Sequence, residues 1–139
     1  MNDPLYAKDV LRLAAAATGA GRLDPCDAHA QRHNPSCGDR IFVTLKLDEK
    51  GLVAALAHET QACVLTQASA ALLGARLAGC GPEDVARLRD EVAKMLQGGA
   101  VPAAPFAGYS ALLGATSHRN RHTCVLLPID AVLDAMTVR

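Results

Sequence analysis

The chain has 139 residues, 50% of them hydrophobic and 20% charged, so it can bury a substantial core and is not intrinsically disordered. Fourteen basic and fourteen acidic side chains cancel, which removes the electropositive excess of a polyanion binder, and 3% aromatics leave little for nucleobases to stack on. These figures predict one domain over residues 1–139 with no nucleic-acid partner.

In chain order, a first helix is predicted over residues 4–18. Asp3 is its N-cap, Pro4 its first turn, and Tyr6, Val10, Leu13 and Ala17 share one face, with Gly19 and Gly21 as stops. Asp3, Lys8, Asp9 and Arg12 punctuate this segment too often for a signal peptide. No apolar run approaches the roughly 20 residues that span a bilayer. A cytoplasmic chain without membrane contact is therefore expected. Residues 22–39 lack a helical period, and the alternation of Ala28, Ala30 and Arg32 with His29, Gln31 and His33 suggests a weak edge strand. Ile41, Val43, Leu45 and Leu47 alternate with Phe42, Thr44 and Lys46 as in a half-buried strand. Residues 48–51 then read as a hairpin loop ending in glycine, with 52–58 as the partner strand.

Helical spacing returns over 61–78, closed by Gly79 and Gly81. Pro82 opens another helix with Glu83 and Asp84 in its first turn and Val85, Leu88, Val92, Met95 and Leu96 as its apolar stripe. Arg87, Arg89, Asp90, Glu91 and Lys94 form its solvated face. A Gly/Ala/Pro linker at 98–105 leads to a short helix at 106–113. By propensity the last helix starts near Leu127, because Pro128 belongs in a first turn. Strands followed by helices predict an α+β fold.

The five cysteines carry the chemistry. Their odd number and the absence of an export signal argue against a disulfide framework. Cys37 precedes a strand, Cys63 lies in the first turn of a helix, and Cys124 lies at the entry to the last helix, so element ends can bring all three to one rim of a small sheet. Backbone N–H groups at a helix start favour the thiolate, the form that binds metal or attacks sulfur. Asp39 follows Cys37 by two residues, which in extended chain puts both side chains on one side. Three thiolates and one oxygen or nitrogen ligand make a four-coordinate site for zinc or for the iron atoms of a small cluster. His122 and Arg121 near Cys124, and His33 near Cys37, are further candidates for or beside the fourth position. Cys26 follows Pro25 in a loop and Cys80 sits between two glycines, so both are expected to be incidental.

Three segments narrow this further. They are residues 34–39 (Asn-Pro-Ser-Cys-Gly-Asp), 61–69 (Gln-Ala-Cys-Val-Leu-Thr-Gln-Ala-Ser) and 121–127 (Arg-His-Thr-Cys-Val-Leu-Leu). In order and separation they resemble the signatures of the NifU-like, or IscU-type, iron–sulfur cluster scaffold family, and the resemblance runs from about residue 5 to 136. It implies a three-stranded antiparallel sheet with helices packed on it, and Cys37, Cys63 and Cys124 as ligands with Asp39 beside them. It further implies a labile iron–sulfur cluster, a 2Fe–2S cluster first of all, as cargo. The implied partners are a cysteine desulfurase supplying persulfide sulfur, an iron donor and acceptor apo-proteins, and the implied role is a carrier rather than an enzyme.

Thr123 stands where cluster scaffolds of the family have a histidine, and Arg121 lies three before the cysteine as in the zinc-binding SufU-type branch. The long insertion of that branch is not evident between residues 79 and 105. A zinc-dependent sulfurtransferase partner is therefore the second expectation, and a degenerate member kept for protein interaction alone the third. Ser117, His118, Arg119 and Asn120 occupy the place of the family's chaperone-recognition segment, which leaves chaperone-assisted transfer without its recognition element.

Overall fold

Every second side chain in the middle of the chain is apolar, and in the computed structural model this alternation produces the sheet on which the helices pack. Residues 8–34 and 38–137 are described. Their elements are α1 (Lys8–Ala16), β1 (Ala28–Asn34), β2 (Asp39–Leu47), β3 (Val53–Gln61), α2 (Val64–Arg76), α3 (Pro82–Leu96), two 3-10 segments (Ala107–Ala115 and Arg119–Arg121) and α4 (His122–Thr137). The sheet is antiparallel with order β1-β2-β3. The α+β architecture expected from the sequence is the one observed. The expected helix cap Asp3, with Pro4 and Tyr6, lies outside the described residues.

Ile41, Val43 and Leu45 point from β2 into the core, opposite Thr60, His58 and Leu56 of β3. The β2–β3 turn is closed by Asp48, whose carboxylate accepts the N–H groups of Lys50 and Leu52 at 2.9 Å. Gly51 supplies the positive φ (+82°) that this turn requires. Helices α2 and α4 cover the core face, α1 lies on α2, and α3 lies on α4. The rim of this arrangement is tied by Arg32 of β1, which reaches Asp134 at 2.6 Å, and by Arg89 of α3, which reaches Asp130 at 2.7 Å. Such exposed pairs contribute little each. No helix among the described residues is long and apolar enough to cross a membrane.

The partner strand runs on to Gln61 and α2 starts at Val64, so Cys63 caps this helix where the sequence put it in the first turn. Two further element ends differ from expectation, each for a packing reason. Helix α1 ends at Ala16, and Ala17 takes the left-handed turn (φ +48°) two residues before the first glycine. The early turn lays the Thr18–Gly19 backbone directly on α2, where a Cβ on Gly74 would stand 2.2 Å from the Thr18 carbonyl oxygen. There Gly19 and Gly21 bond the backbone of His58, extending the edge of β3. The second correction concerns α4, which starts at His122 and not near Leu127, so Pro128 lies inside the helix and is buried. Proline removes the N–H that would meet the Cys124 carbonyl and crowds that carbonyl with its ring. A hydroxyl of α2 takes over: Thr66 donates to the Cys124 carbonyl at 2.9 Å. One turn on, Ser69 adds a bond to the Val125 carbonyl at 2.8 Å. The cost that propensity assigns to an internal proline is thus offset by a neighbouring helix.

At Gly74 the Thr18–Gly19 turn and α2 have no room to spare. Gly74→Ala is expected to lower the free energy of unfolding by about 1–3 kcal/mol through overpacking, measured by urea denaturation; an unchanged midpoint would mean that the turn moves off α2 freely.

Candidate metal centre

Three ligand-type side chains meet where β2 begins and where α2 and α4 begin. Asp39 is the first residue of β2, on the same face as Ile41, and is buried. Cys63 is the N-cap of α2, half-buried, with its backbone extended. Cys124 lies in the first turn of α4 with no solvent exposure at all. One carboxylate oxygen and the two sulfurs lie within 4.8 Å of one another. A short move suffices to bring such a set around one metal ion, since metal–sulfur bonds of about 2.3 Å place bound sulfurs roughly 4 Å apart.

The hydrogen bonds of the site converge on Asp39 and Thr66. Asp39 Oδ1 accepts the Cys63 N–H at 3.1 Å, so a strand residue caps a helix whose own N-cap side chain makes no capping bond. Asp39 Oδ2 accepts the Thr66 hydroxyl at 2.9 Å. Burial alone would raise the Asp39 pKa; hydrogen bonds from Thr66, Cys124 and Cys63 outweigh it and hold the carboxyl below its ordinary value. The Cys63 thiol is pulled down to about 6, chiefly by the hydrogen bond from Cys124 and with help from Thr66, against desolvation and the charge of Asp39. Cys63 is therefore the thiolate of the pair. Cys80 goes the other way, raised by burial and by Asp84.

Cys37 lies outside the described residues. His33 is not brought to the others: it is exposed on the opposite face of β1 from buried Asn34. Nor is His122, whose Nε2 lies 3.0 and 3.1 Å from the carbonyls of Ala115 and Thr116. Arg121 is half-buried at the end of the second 3-10 segment, just before α4. Cys26 and Cys80 do not belong to the clustered group among the described residues. Two site residues carried no role in the sequence. Asn34 donates its amide to Thr123 Oγ1 at 3.1 Å and points at Cys124 Sγ at 4.0 Å. Thr66, one helical turn after Cys63, touches Asp39, the Cys124 carbonyl and, at 3.5 Å, Cys63 Sγ. The i, i+3 spacing from Cys63 was the available signal.

Residues 5–121 match the family described as NifU-like N terminal domain. The chain is 34% identical over 94 residues to the iron–sulfur cluster assembly scaffold protein IscU of Thermotoga maritima, covering 68% of this chain and 66% of that relative, just under two thirds of its length. It is 32% identical over 117 residues to the protein of the same name from Streptococcus pyogenes serotype M1, covering 84% of this chain and 72% of the other. The crystal structure of a nitrogen-fixing NifU-like protein (N-terminal) from Brucella abortus superposes with a TM-score of 0.90 at 32% identity, covering 96% of this chain and 93% of that one.

The two thiols with opposite pKa behaviour can be separated by alkylation of the metal-free full chain, followed by peptide mass mapping. Cys63 should reach half its maximal rate near pH 6, because its thiolate forms above that value, whereas Cys80 should remain slow at neutral pH. Equal rates for both at pH 7 would refute the thiolate assignment.

Proposed function

The chain belongs to the NifU-like N-terminal domain family, and from that premise we propose that it serves as a scaffold for iron–sulfur cluster assembly. It receives sulfur from a cysteine desulfurase, together with iron, holds a labile cluster on Cys37, Cys63, Cys124 and Asp39, and passes it to acceptor apo-proteins. The observation that carries this reading is the meeting of the Asp39 carboxylate with the Cys63 and Cys124 sulfurs at three element ends. Cys37 joins them on sequence grounds, two residues before Asp39 in the first of the three motifs. A 2Fe–2S cluster is the first candidate for that cargo, and four ligands are enough to hold one.

The chemistry asked of the residues is modest. A site thiolate bonds the outer sulfur of the desulfurase persulfide while the desulfurase cysteine leaves as thiolate, so sulfur moves without an added oxidant or reductant. Cys63, half-exposed and ionised near neutrality, is equipped for ligation, and Cys124 ligates from the buried side. The carboxylate is a harder and more weakly held ligand for iron than a thiolate, which suits a cargo that must leave. The protein acts as a carrier and works in the cytoplasm.

A second reading, a zinc-binding partner that takes persulfide sulfur, is favoured by one feature: the described donor set is two sulfurs and an oxygen, with His122 held by backbone carbonyls instead of joining it. Such donors also fit tetrahedral zinc.

Anaerobic reconstitution with iron, cysteine and a desulfurase, followed by metal and sulfide analysis, decides between the readings. A brown protein with visible absorbance supports the cluster scaffold; a colourless one with a zinc ion per chain supports the second reading. Cys37→Ser, Cys63→Ser and Cys124→Ser should each abolish most cluster retention, and Cys26→Ser and Cys80→Ser should not. Asp39→Ala should still load cluster but transfer it to an acceptor more slowly than the parent; transfer at the parent rate would remove Asp39 from the ligand set.

A further inference from the structure

Thr66 is fully buried, and its hydroxyl faces more partners than it has protons. A threonine hydroxyl carries one hydrogen and two lone pairs. Here two acceptors, Asp39 Oδ2 and the Cys124 carbonyl, both stand 2.9 Å away, and the Cys63 sulfur stands at 3.5 Å. The single proton is therefore divided among a carboxylate on β2, a carbonyl in the first turn of α4 and, at longer range, the thiolate on the N-cap of α2. Among the described residues, one hydroxyl touches all three members of the clustered donor set. The carbonyl is open to it because Pro128 withholds the helical N–H.

Ser69, three residues on, makes the equivalent bond to the Val125 carbonyl at 2.8 Å, but its other partner is the Tyr109 hydroxyl. The two hydroxyls thus share the task of holding α4 on α2, and only Thr66 also holds ligands. We propose that Thr66 is the positioning residue of the metal centre: its hydroxyl fixes Asp39 and the start of α4 relative to Cys63, so that the donor set is arranged before a thiophilic divalent cation or cluster arrives. The proposal rests on the metal-site reading above and adds a residue to it. Groups that orient ligands without touching the metal typically change affinity by about 10–100-fold when removed.

The test is an anaerobic titration of the metal-free full chain with cobalt(II), a stand-in for zinc that reports thiolate ligation by charge-transfer absorbance and tetrahedral geometry by its visible bands. Thr66→Val should bind cobalt(II) about 10–100-fold more weakly, with altered visible bands, and Thr66→Ser should restore both. Ser69→Ala should lower the melting temperature yet leave the cobalt affinity and spectrum at parent values, which separates positioning from general support of α4. If Thr66→Val does not fold, Thr66→Val combined with Pro128→Ala replaces it: alanine returns an N–H to the Cys124 carbonyl, while Asp39 still lacks its donor. Parent affinity and spectrum in a folded Thr66→Val, or in the double variant, overturn the proposal. Cys63→Ser and Cys124→Ser distinguish the two failures. If they lose the thiolate bands while the Thr66 variants keep parent behaviour, only Thr66 is wrong; if they bind cobalt(II) as the parent does, the metal-site reading falls and the Thr66 proposal with it.

Discussion

Proline at position 128 withholds the N–H that a helix would offer the Cys124 carbonyl from four residues on, and the Thr66 hydroxyl meets that carbonyl. A buried carbonyl left without a partner would cost about 1–3 kcal/mol, enough to fray the first turn of α4 and carry the cysteine away with it. The bond instead pins that turn to α2. The same hydroxyl bonds Asp39, so α2, α4 and β2 are registered against one another at a single buried oxygen. Ser69 repeats the contact one turn deeper, and the stacked pair sets how the two helices lie over the sheet.

Around this junction the fold delivers ligands by their positions at element ends. A strand start, a helix N-cap and a helix first turn each present one of the three side chains. The contrast in burial follows from the same geometry. Cys124 looks inward because the rest of α4 is almost wholly core, and Cys63 remains half-open because its helix begins at the rim. The thiol pair is therefore asymmetric before any metal is present, with the outer sulfur ionised near neutrality and the inner one donating to it.

Much of this was legible in the sequence. The alternation from Ile41 to Leu47 and its return after Gly51 specify the hairpin, because a half-buried strand leaves a period of two that no helix imitates. The even spacing of Ala28, Ala30 and Arg32 was a fainter form of the same signal, and β1 is indeed the exposed edge. The start of α4 was not legible, because propensity treats Pro128 as a boundary. The hydroxyls that satisfy the carbonyls at 124 and 125 come from residues more than fifty positions away, and no local window contains them. For the site, spacing alone left zinc, cluster and incidental cysteines all open; the three motifs in order narrowed the choice. Thr66 escaped notice because an isolated threonine in a helix is ordinarily a neutral surface residue, and its role appears only when β2 and α4 arrive around it. His122 failed for the converse reason: nearness in sequence to Cys124 says nothing about the backbone carbonyls of Ala115 and Thr116 that claim its ring.

Asp39 shows how such a site can both hold and release. Its two oxygens already accept the Cys63 N–H and the Thr66 hydroxyl, one bond capping α2 and the other anchoring the junction. A carboxylate has about four lone-pair positions, so a metal can still be reached, but every gain in metal–oxygen bonding draws density from bonds that the fold itself uses. Among the described residues the thiolate of Cys63 caps no helix: its hydrogen-bond partners are the Cys124 thiol and Thr66, whose hydroxyl stands at 3.5 Å. Sulfur ligands can then bind firmly while the oxygen ligand stays in continuous competition with the protein's own donors. In the proposed scaffold role, loss of the oxygen first, with its hydrogen bonds ready to re-form, would give departure of a bound cluster a direction and would leave α2 capped.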